Sequence, residues 1–148
     1  MPIEVRGLNE VIAKMQAYPE KLQAGMKTAM DAALLVVWEN VPPYPPQPSG
    51  VSYRRTGTLG RSLGSGEGGG KSGGEPEIYE VRALGAASYE GRFGTNLEYA
   101  RYVIGDDDQN IHLGYWWQMK DVAARATEKV QRVFADLGRV MADWLDSQ

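Results

Sequence analysis

The stretch that decides the fold is residues 119–148, MKDVAARATEKVQRVFADLGRVMADWLDSQ. Its apolar residues recur in alternating four-residue and three-residue steps, the spacing of one face of an α-helix. They are Met119, Ala123, Ala126, Val130, Val133, Leu137, Val140 and Trp144, and the stripe is widened by Val122, Phe134, Met141 and Leu145. Charged residues occupy the opposite face. The rest of the chain must therefore cover one side of this helix.

The composition predicts a single domain that spans residues 1–148. With 43% hydrophobic and 24% charged residues, the chain can build one core without metals or disulfides. Cysteine is absent, which excludes a disulfide scaffold and a thiol nucleophile. The net charge of -3 indicates no strongly charged partner, and the longest apolar run, 32–38, is too short to span a bilayer. We expect a soluble, non-secreted protein without a membrane contact.

A short strand and a long amphipathic segment are predicted before the first prolines. Ile3 and Val5 alternate with polar residues, after which apolar residues take up helical spacing. A second helical segment begins at Pro19, which a first helical position tolerates, and must stop by Val41 because Pro42 cannot continue a helix. Its inward residues are Leu22, Met26, Ala29, Ala33, Val36 and Val37.

Two connecting segments differ in composition. Residues 41–50 are rich in proline and favour an extended, polyproline-like connector. Residues 64–74 contain glycine at seven positions. Such a composition predicts a long flexible loop rather than a helix or strand.

The second half of the chain has the periodicity of a sheet. Residues 79–93 alternate apolar and charged side chains on either side of Gly85, which predicts a β-hairpin. Residues 97–104 fit either one helical turn or a strand, and residues 111–117 alternate in a last strand before the final helix. The fold class is therefore α+β: a small, mainly antiparallel sheet with a long N-terminal helix and a long C-terminal helix packed on one face.

Three features suggest chemistry, and each has a simpler explanation. Residues 65–72 approach the phosphate-binding pattern G-x-x-x-x-G-K-[ST], but Ser65 replaces the first glycine and residues 73–76 cannot open a helix. His112, the only histidine, would need a nucleophile and an acid beside it to support a hydrolase. The aspartates 106–108 lack the later residues of a calcium loop. We predict no enzyme, catalytic residue, metal or cofactor.

The local charge and the aromatic residues supply contact candidates. Residues 51–71 carry four cations, Arg54, Arg55, Arg61 and Lys71, against one anion. Guanidinium groups suit phosphates, so a small nucleic-acid-binding module is one hypothesis and a plain surface loop is the other. The aromatic side chains of a last strand would lie on both of its faces, which favours a protein interface for some and a core role for the others; they are Tyr115, Trp116 and Trp117.

Two short motifs carry a family resemblance. Residues 55–63 follow Arg-Thr-Gly-x-Leu-x-x-Ser-Leu, and residues 99–103 follow Tyr-Ala-x-Tyr-Val. The motif residues are Arg55, Thr56, Gly57, Leu59, Ser62, Leu63, Tyr99 and Ala100. In these motifs and in the order of its predicted elements, the chain resembles the tail-completion or head–tail joining proteins of tailed phages typified by the gp10 protein of phage HK97. It departs from them at 104–106 and 115–117.

The resemblance implies a structural virion protein without catalysis, located in the neck or tail and in the host cytoplasm during assembly. It implies a ring of identical subunits, six by expectation, around the DNA channel and in contact with neighbouring neck and tail proteins. Such a ring needs two different surfaces on each subunit. Tyr44 in the connector and the aromatic strand at 115–117 are the candidates. The loop 64–74 is expected to order on assembly or to project into the channel.

Overall fold

Five helices and two strands make up the part of the chain that the structure, a computed structural model, describes. The structure describes residues 9–43, 45, 58–65, 69–85, 88–98, 100–105 and 117–148. The elements are α1 (Asn9–Met15), α2 (Pro19–Glu39), α3 (Thr58–Ser62), β1 (Ile78–Gly85), β2 (Ser88–Gly94), α4 (Ala100–Val103) and α5 (Met119–Asp146). The α+β class predicted from the sequence is confirmed. The strand predicted near Ile3 lies outside the described residues.

The two long helices, α2 and α5, pack along each other and form the main core. The buried side chains between them are small, apart from one phenylalanine: Ala29, Ala33, Ala126, Val130 and Phe134. Helix α1 adds Met15 to a second cluster that joins the start of α2 to the end of α5. Helix α2 begins at Pro19 and ends before Pro42, as the sequence predicts, and the Asn40 side-chain amide donates to the Val36 carbonyl at 2.7 Å.

The buried residues of α5 follow steps of four rather than alternating steps of four and three. They are Val122, Ala126, Val130, Phe134 and Gly138, with Met141 one three-residue step beyond. A row of four-residue steps winds across the helix surface, so it diverges from the predicted stripe toward the end of the helix. Val140, predicted to face inward, is 57% exposed, and that prediction was wrong. The other predicted positions are buried or half-buried.

The predicted hairpin is confirmed, and its two strands lie on α2. Strands β1 and β2 pair antiparallel, with Tyr79 opposite Phe93 and Val81 opposite Gly91. A Cβ on Gly91 would lie 3.0 Å from the end of Met30 and 3.5 Å from Leu34, so α2 passes directly over this strand. Helix α5 packs on α2 and α1. The helix that lies on the sheet is therefore α2, and α5 forms the next layer.

The glycine-rich loop has no helix or strand in its described residues, 64–65 and 69–74, in agreement with its composition. These residues pack on the C-terminal end of α2. The Trp38 indole Nε1 donates to the Gly64 carbonyl at 3.0 Å, and the Gly70 amide donates to the Val41 carbonyl at 2.6 Å. The Ser65 side chain is fully buried. This part of the loop therefore lies against the domain and does not project from it.

The substitution Gly69→Ala is expected to destabilise the fold more than Gly74→Ala. Both glycines have a positive φ, 71° and 90°, so either alanine introduces backbone strain of about 1 kcal/mol or more. A Cβ at Gly69 would also lie 2.5 Å from the backbone nitrogen of Pro43, whereas no atom among the described residues lies within 4 Å of one at Gly74. Urea unfolding should give the lower free energy for Gly69→Ala. Equal values would contradict the packing of the loop against Pro43.

Candidate assembly surfaces

The residues of the two family motifs meet in a third core cluster. Leu59 in α3 and Leu63, which directly follows α3, pack with Ala100 and Ile104, and all four side chains are buried. The Ser62 hydroxyl donates to the Leu59 carbonyl at 2.7 Å, and the Ser62 carbonyl accepts the amide of Glu77 at 2.7 Å. These motif residues therefore hold the fold together rather than form a site. The remaining ones lie outside the described residues: Arg55, Thr56, Gly57 and Tyr99.

The same cluster fixes the start of α5. The Met119 amide donates to the Ile104 carbonyl at 2.7 Å, and the Gln118 side-chain amide donates to the Val103 carbonyl at 3.0 Å. Asp121 accepts the Gln118 amide at 3.0 Å, which places a negative charge at the positive end of the helix dipole. These contacts join α4 to α5 directly.

The predicted aromatic interface is only partly described. Trp117 is half-buried, belongs to no strand and packs against the third cluster. Its role in the described structure is therefore in the core. Tyr44, Tyr115 and Trp116 lie outside the described residues.

The basic segment 51–71 is only partly described. Arg61 and Lys71 are exposed, and Glu75 and Glu77, which follow the segment in sequence, are exposed as well. The Lys71 ammonium lies 5.5 Å from the centre of the Trp38 ring, a cation–π distance. The described charges within residues 51–71 are therefore two cations, and two carboxylates follow just beyond the segment. Arg54 and Arg55 lie outside the described residues.

The candidate catalytic and metal groups gain no support from the described residues. No three histidine, cysteine, aspartate or glutamate side chains within them come together as a metal site. His112 and the aspartates 106–108 lie outside the described ranges. Within those ranges, no helix combines the length and the apolar character needed to cross a bilayer.

An edge-to-face ring pair at the C-terminal end of α2 contains the one described group whose pKa clearly shifts. The Tyr79 ring lies 5.3 Å from the Trp38 ring at 62°. Burial raises the pKa of the Tyr79 phenol above 10.0, and the carboxylates of Asp31 and Glu39 raise it further because they disfavour a second negative charge. The phenol is therefore neutral at ordinary pH, and it is not activated as a base or nucleophile.

An apolar groove of about 390 Å³ runs between α2 and α5 on the outside of the domain. We call it the helix groove. Small residues form its α2 side and larger aliphatic residues its α5 side, with one cation and one anion in the lining: Ala24, Thr28, Ala32, Val133, Leu137, Val140, Lys21 and Asp136. The alanines and Thr28 recur in steps of four along α2, a signal beside the inward stripe that the sequence interpretation did not use.

The hairpin carries one strongly exposed apolar side chain beside an ion pair. Leu84, near the end of β1, is 59% exposed and lies where the register shifts between Ala83 and Gly85. Arg82, two residues earlier in the strand, pairs with Glu90 of β2 at 2.7 Å. We call Arg82, Leu84 and Glu90 the hairpin knob. Sequence reasoning missed it because an exposed leucine in a strand has the same pattern as a buried one.

The helix groove and the hairpin lie on roughly opposite sides of α2. Ala32 lines the groove, whereas Met30 and Leu34 lie over the hairpin. Residues two positions apart on a helix point about 200° apart. The apolar groove and the hairpin with its exposed leucine therefore lie on different sides of one subunit.

Comparison of the chain with protein-family models, with curated proteins and with solved structures finds no match in any of the three. The resemblance to the phage family therefore stays a prediction from the two short motifs.

Tyr79 should titrate above the ordinary pKa of a tyrosine, because its pKa is raised. Since the folded protein holds this proton more tightly than the unfolded chain, Tyr79 contributes stability that is present below pH 10.0 and lost as the pH rises through its folded pKa. Ultraviolet titration of the native protein should show a late tyrosine that Tyr79→Phe removes. The variant Asp31→Asn should lower the pKa of Tyr79 partly toward its ordinary value, because it removes one of the negative charges that raise it. A late tyrosine that persists in Tyr79→Phe would contradict this assignment.

Proposed function

We propose that this chain is a structural protein of a tailed phage or prophage, a tail-completion or head–tail joining component. In this role it assembles with copies of itself into a ring around the DNA channel and contacts the neighbouring neck and tail proteins. The observation that carries the proposal is the presence of two different exposed surfaces, the apolar helix groove and the hairpin knob with its exposed leucine, on opposite sides of α2.

Two distinct surfaces are what a ring requires. In a ring, each subunit offers one surface to the copy before it and a different surface to the copy after it. The helix groove leaves a contiguous apolar surface in water, and contact with another subunit that covers the groove removes that surface from water. Assembly therefore gives both surfaces a physical role.

The packing of the motif residues supports the family resemblance independently. Leu59, Leu63 and Ala100 belong to two motifs that are distant in sequence, and they pack in one cluster that fixes the start of α5. Residues with this role define a fold, which is the reason that short motifs of this kind can mark a family. The nucleic-acid hypothesis draws on only two described cations, Arg61 and Lys71, and two exposed carboxylates, Glu75 and Glu77, follow them in sequence.

The proposal predicts assembly that depends on protein concentration. Sedimentation velocity over a wide concentration range should show the monomer give way to one closed oligomer, and electron microscopy of that species should show rings. The reading frames beside the gene should encode portal, capsid and tail proteins. A protein that stays monomeric at high concentration, both alone and with its neck and tail partners, would contradict the proposal.

A further inference from the structure

We infer that the ring contact is made between the hairpin knob of one copy and the helix groove of the next, with Leu84 seated between α2 and α5. The inference rests on the proposed self-assembly and names the two surfaces that carry it. The occupant of the groove is a second copy of this chain.

The apolar parts of the two surfaces complement each other in shape. Leu84 and Val140 are the most exposed of the large hydrophobic side chains in the described part of the chain, at 59% and 57%. Leu84 stands out from a strand, whereas Val140 borders a concave groove. Two grooves placed face to face would enclose empty space and lose van der Waals contacts, so the groove is better filled by a protruding side chain.

The charged parts of the two surfaces are also complementary. The groove lining includes one cation, Lys21, and one anion, Asp136. The hairpin knob carries one of each sign beside Leu84, namely Arg82 and Glu90. When Leu84 enters the groove, Lys21 can face Glu90 and Asp136 can face Arg82, so that opposite charges meet on both sides of the leucine.

The exchange replaces exposed contacts, including the ion pair between Arg82 and Glu90 at 2.7 Å, whose side chains are 55% and 38% exposed. Asp136 pairs with Arg139 at 3.0 Å, and both side chains are more than half exposed. The Lys21 ammonium lies 5.4 Å from the centre of the Trp144 ring. Exposed pairs of this kind contribute little to stability, so a new pairing across an interface loses little.

The placement of the surfaces makes the contact head-to-tail. Because the helix groove and the hairpin knob lie on opposite sides of α2, one copy cannot use both toward the same neighbour. Each copy therefore receives one neighbour in its groove and inserts its hairpin into another, which is a heterologous contact of the kind that forms a ring when the rotation between neighbours closes.

Cysteine cross-linking tests this contact directly, because the chain has no cysteine of its own. We expect Leu84→Cys mixed with Val140→Cys to form a disulfide-linked dimer on oxidation, and either variant alone to form none. A chain that carries both substitutions should give a ladder of linked species that ends at the size of the ring. Glu128→Cys is the matched control, since Glu128 lies on the charged face of α5 and its side chain is 76% exposed. It should not cross-link to Leu84→Cys.

The outcomes separate this inference from the proposed function. Assembly that occurs without a link between positions 84 and 140 overturns the inference and leaves self-assembly standing. A dimer from Val140→Cys alone indicates two grooves face to face and also overturns it. A protein that does not assemble under any condition overturns both.

A second variant gives a readout that does not depend on cross-linking. Leu84→Asp should weaken association by about tenfold to a hundredfold, the loss expected when a buried leucine is removed from an interface. Leu84→Met keeps an apolar side chain of similar size and should assemble nearly as well as the natural chain. Since Leu84 is exposed in the subunit, circular dichroism should show both variants folded. Equal association of the two variants would overturn the inference.

Discussion

The packing of α2 against α5 is the interaction on which the rest of the structure depends. The small side chains of Ala29, Ala33 and Ala126 let the two helices approach closely, and Phe134 supplies the largest buried side chain between them. A buried aliphatic or aromatic side chain contributes roughly 1.5 to 3 kcal/mol, so the helix pair accounts for much of the hydrophobic stabilisation. The other elements gain their positions from one of these two helices.

The smaller elements could not hold their structure alone. An isolated two-stranded hairpin is marginally stable in water, so β1 and β2 depend on their contact with α2. Helix α1 has seven residues and is too short to persist without its packing on the long helices. The glycine-rich loop depends on its hydrogen bonds to Trp38 and to Val41. The order of dependence therefore runs outward from α2 and α5.

This arrangement also leads to the proposed function. Helix α2 contacts α5 on one face and the hairpin on another, and beside the α5 contact lies the helix groove. The same rigid helix thus sets the distance and direction between the two exposed surfaces. Head-to-tail assembly requires such a fixed relation, because a variable angle between the surfaces would produce open chains rather than a closed ring.

The sequence predicted the parts of the fold that depend on local periodicity. The inward faces of α2 and most of α5, the hairpin and the end of α2 before Pro42 follow from spacing and from proline chemistry. The sequence pattern could not predict which side of α5 faces α2. The predicted stripe and the observed row of four-residue steps lie at similar angles around the helix, and only the packing against α2 decides between them. Val140 was misplaced for this reason, and the helix groove that it borders was not foreseen.

The sequence pattern also could not predict which residues the loop and the motif side chains contact. Glycine content indicates conformational freedom, and it does not indicate that the Gly64 carbonyl accepts the indole of Trp38. The motif positions Leu59 and Ala100 were recognised by resemblance, but their mutual packing is a tertiary contact. Hydrophobic pattern thus predicts which residues are buried more readily than it predicts what they contact.

Native-state hydrogen exchange tests the central role of the helix pair most directly. With rising denaturant, amides in the middle of α2, such as that of Ala33, and amides in the middle of α5, such as that of Val130, should exchange through one shared opening with the same free energy. The hairpin amides should open at that free energy or below it. An α5 that exchanges at a much lower free energy, while α2 and the hairpin stay protected together, would contradict the account.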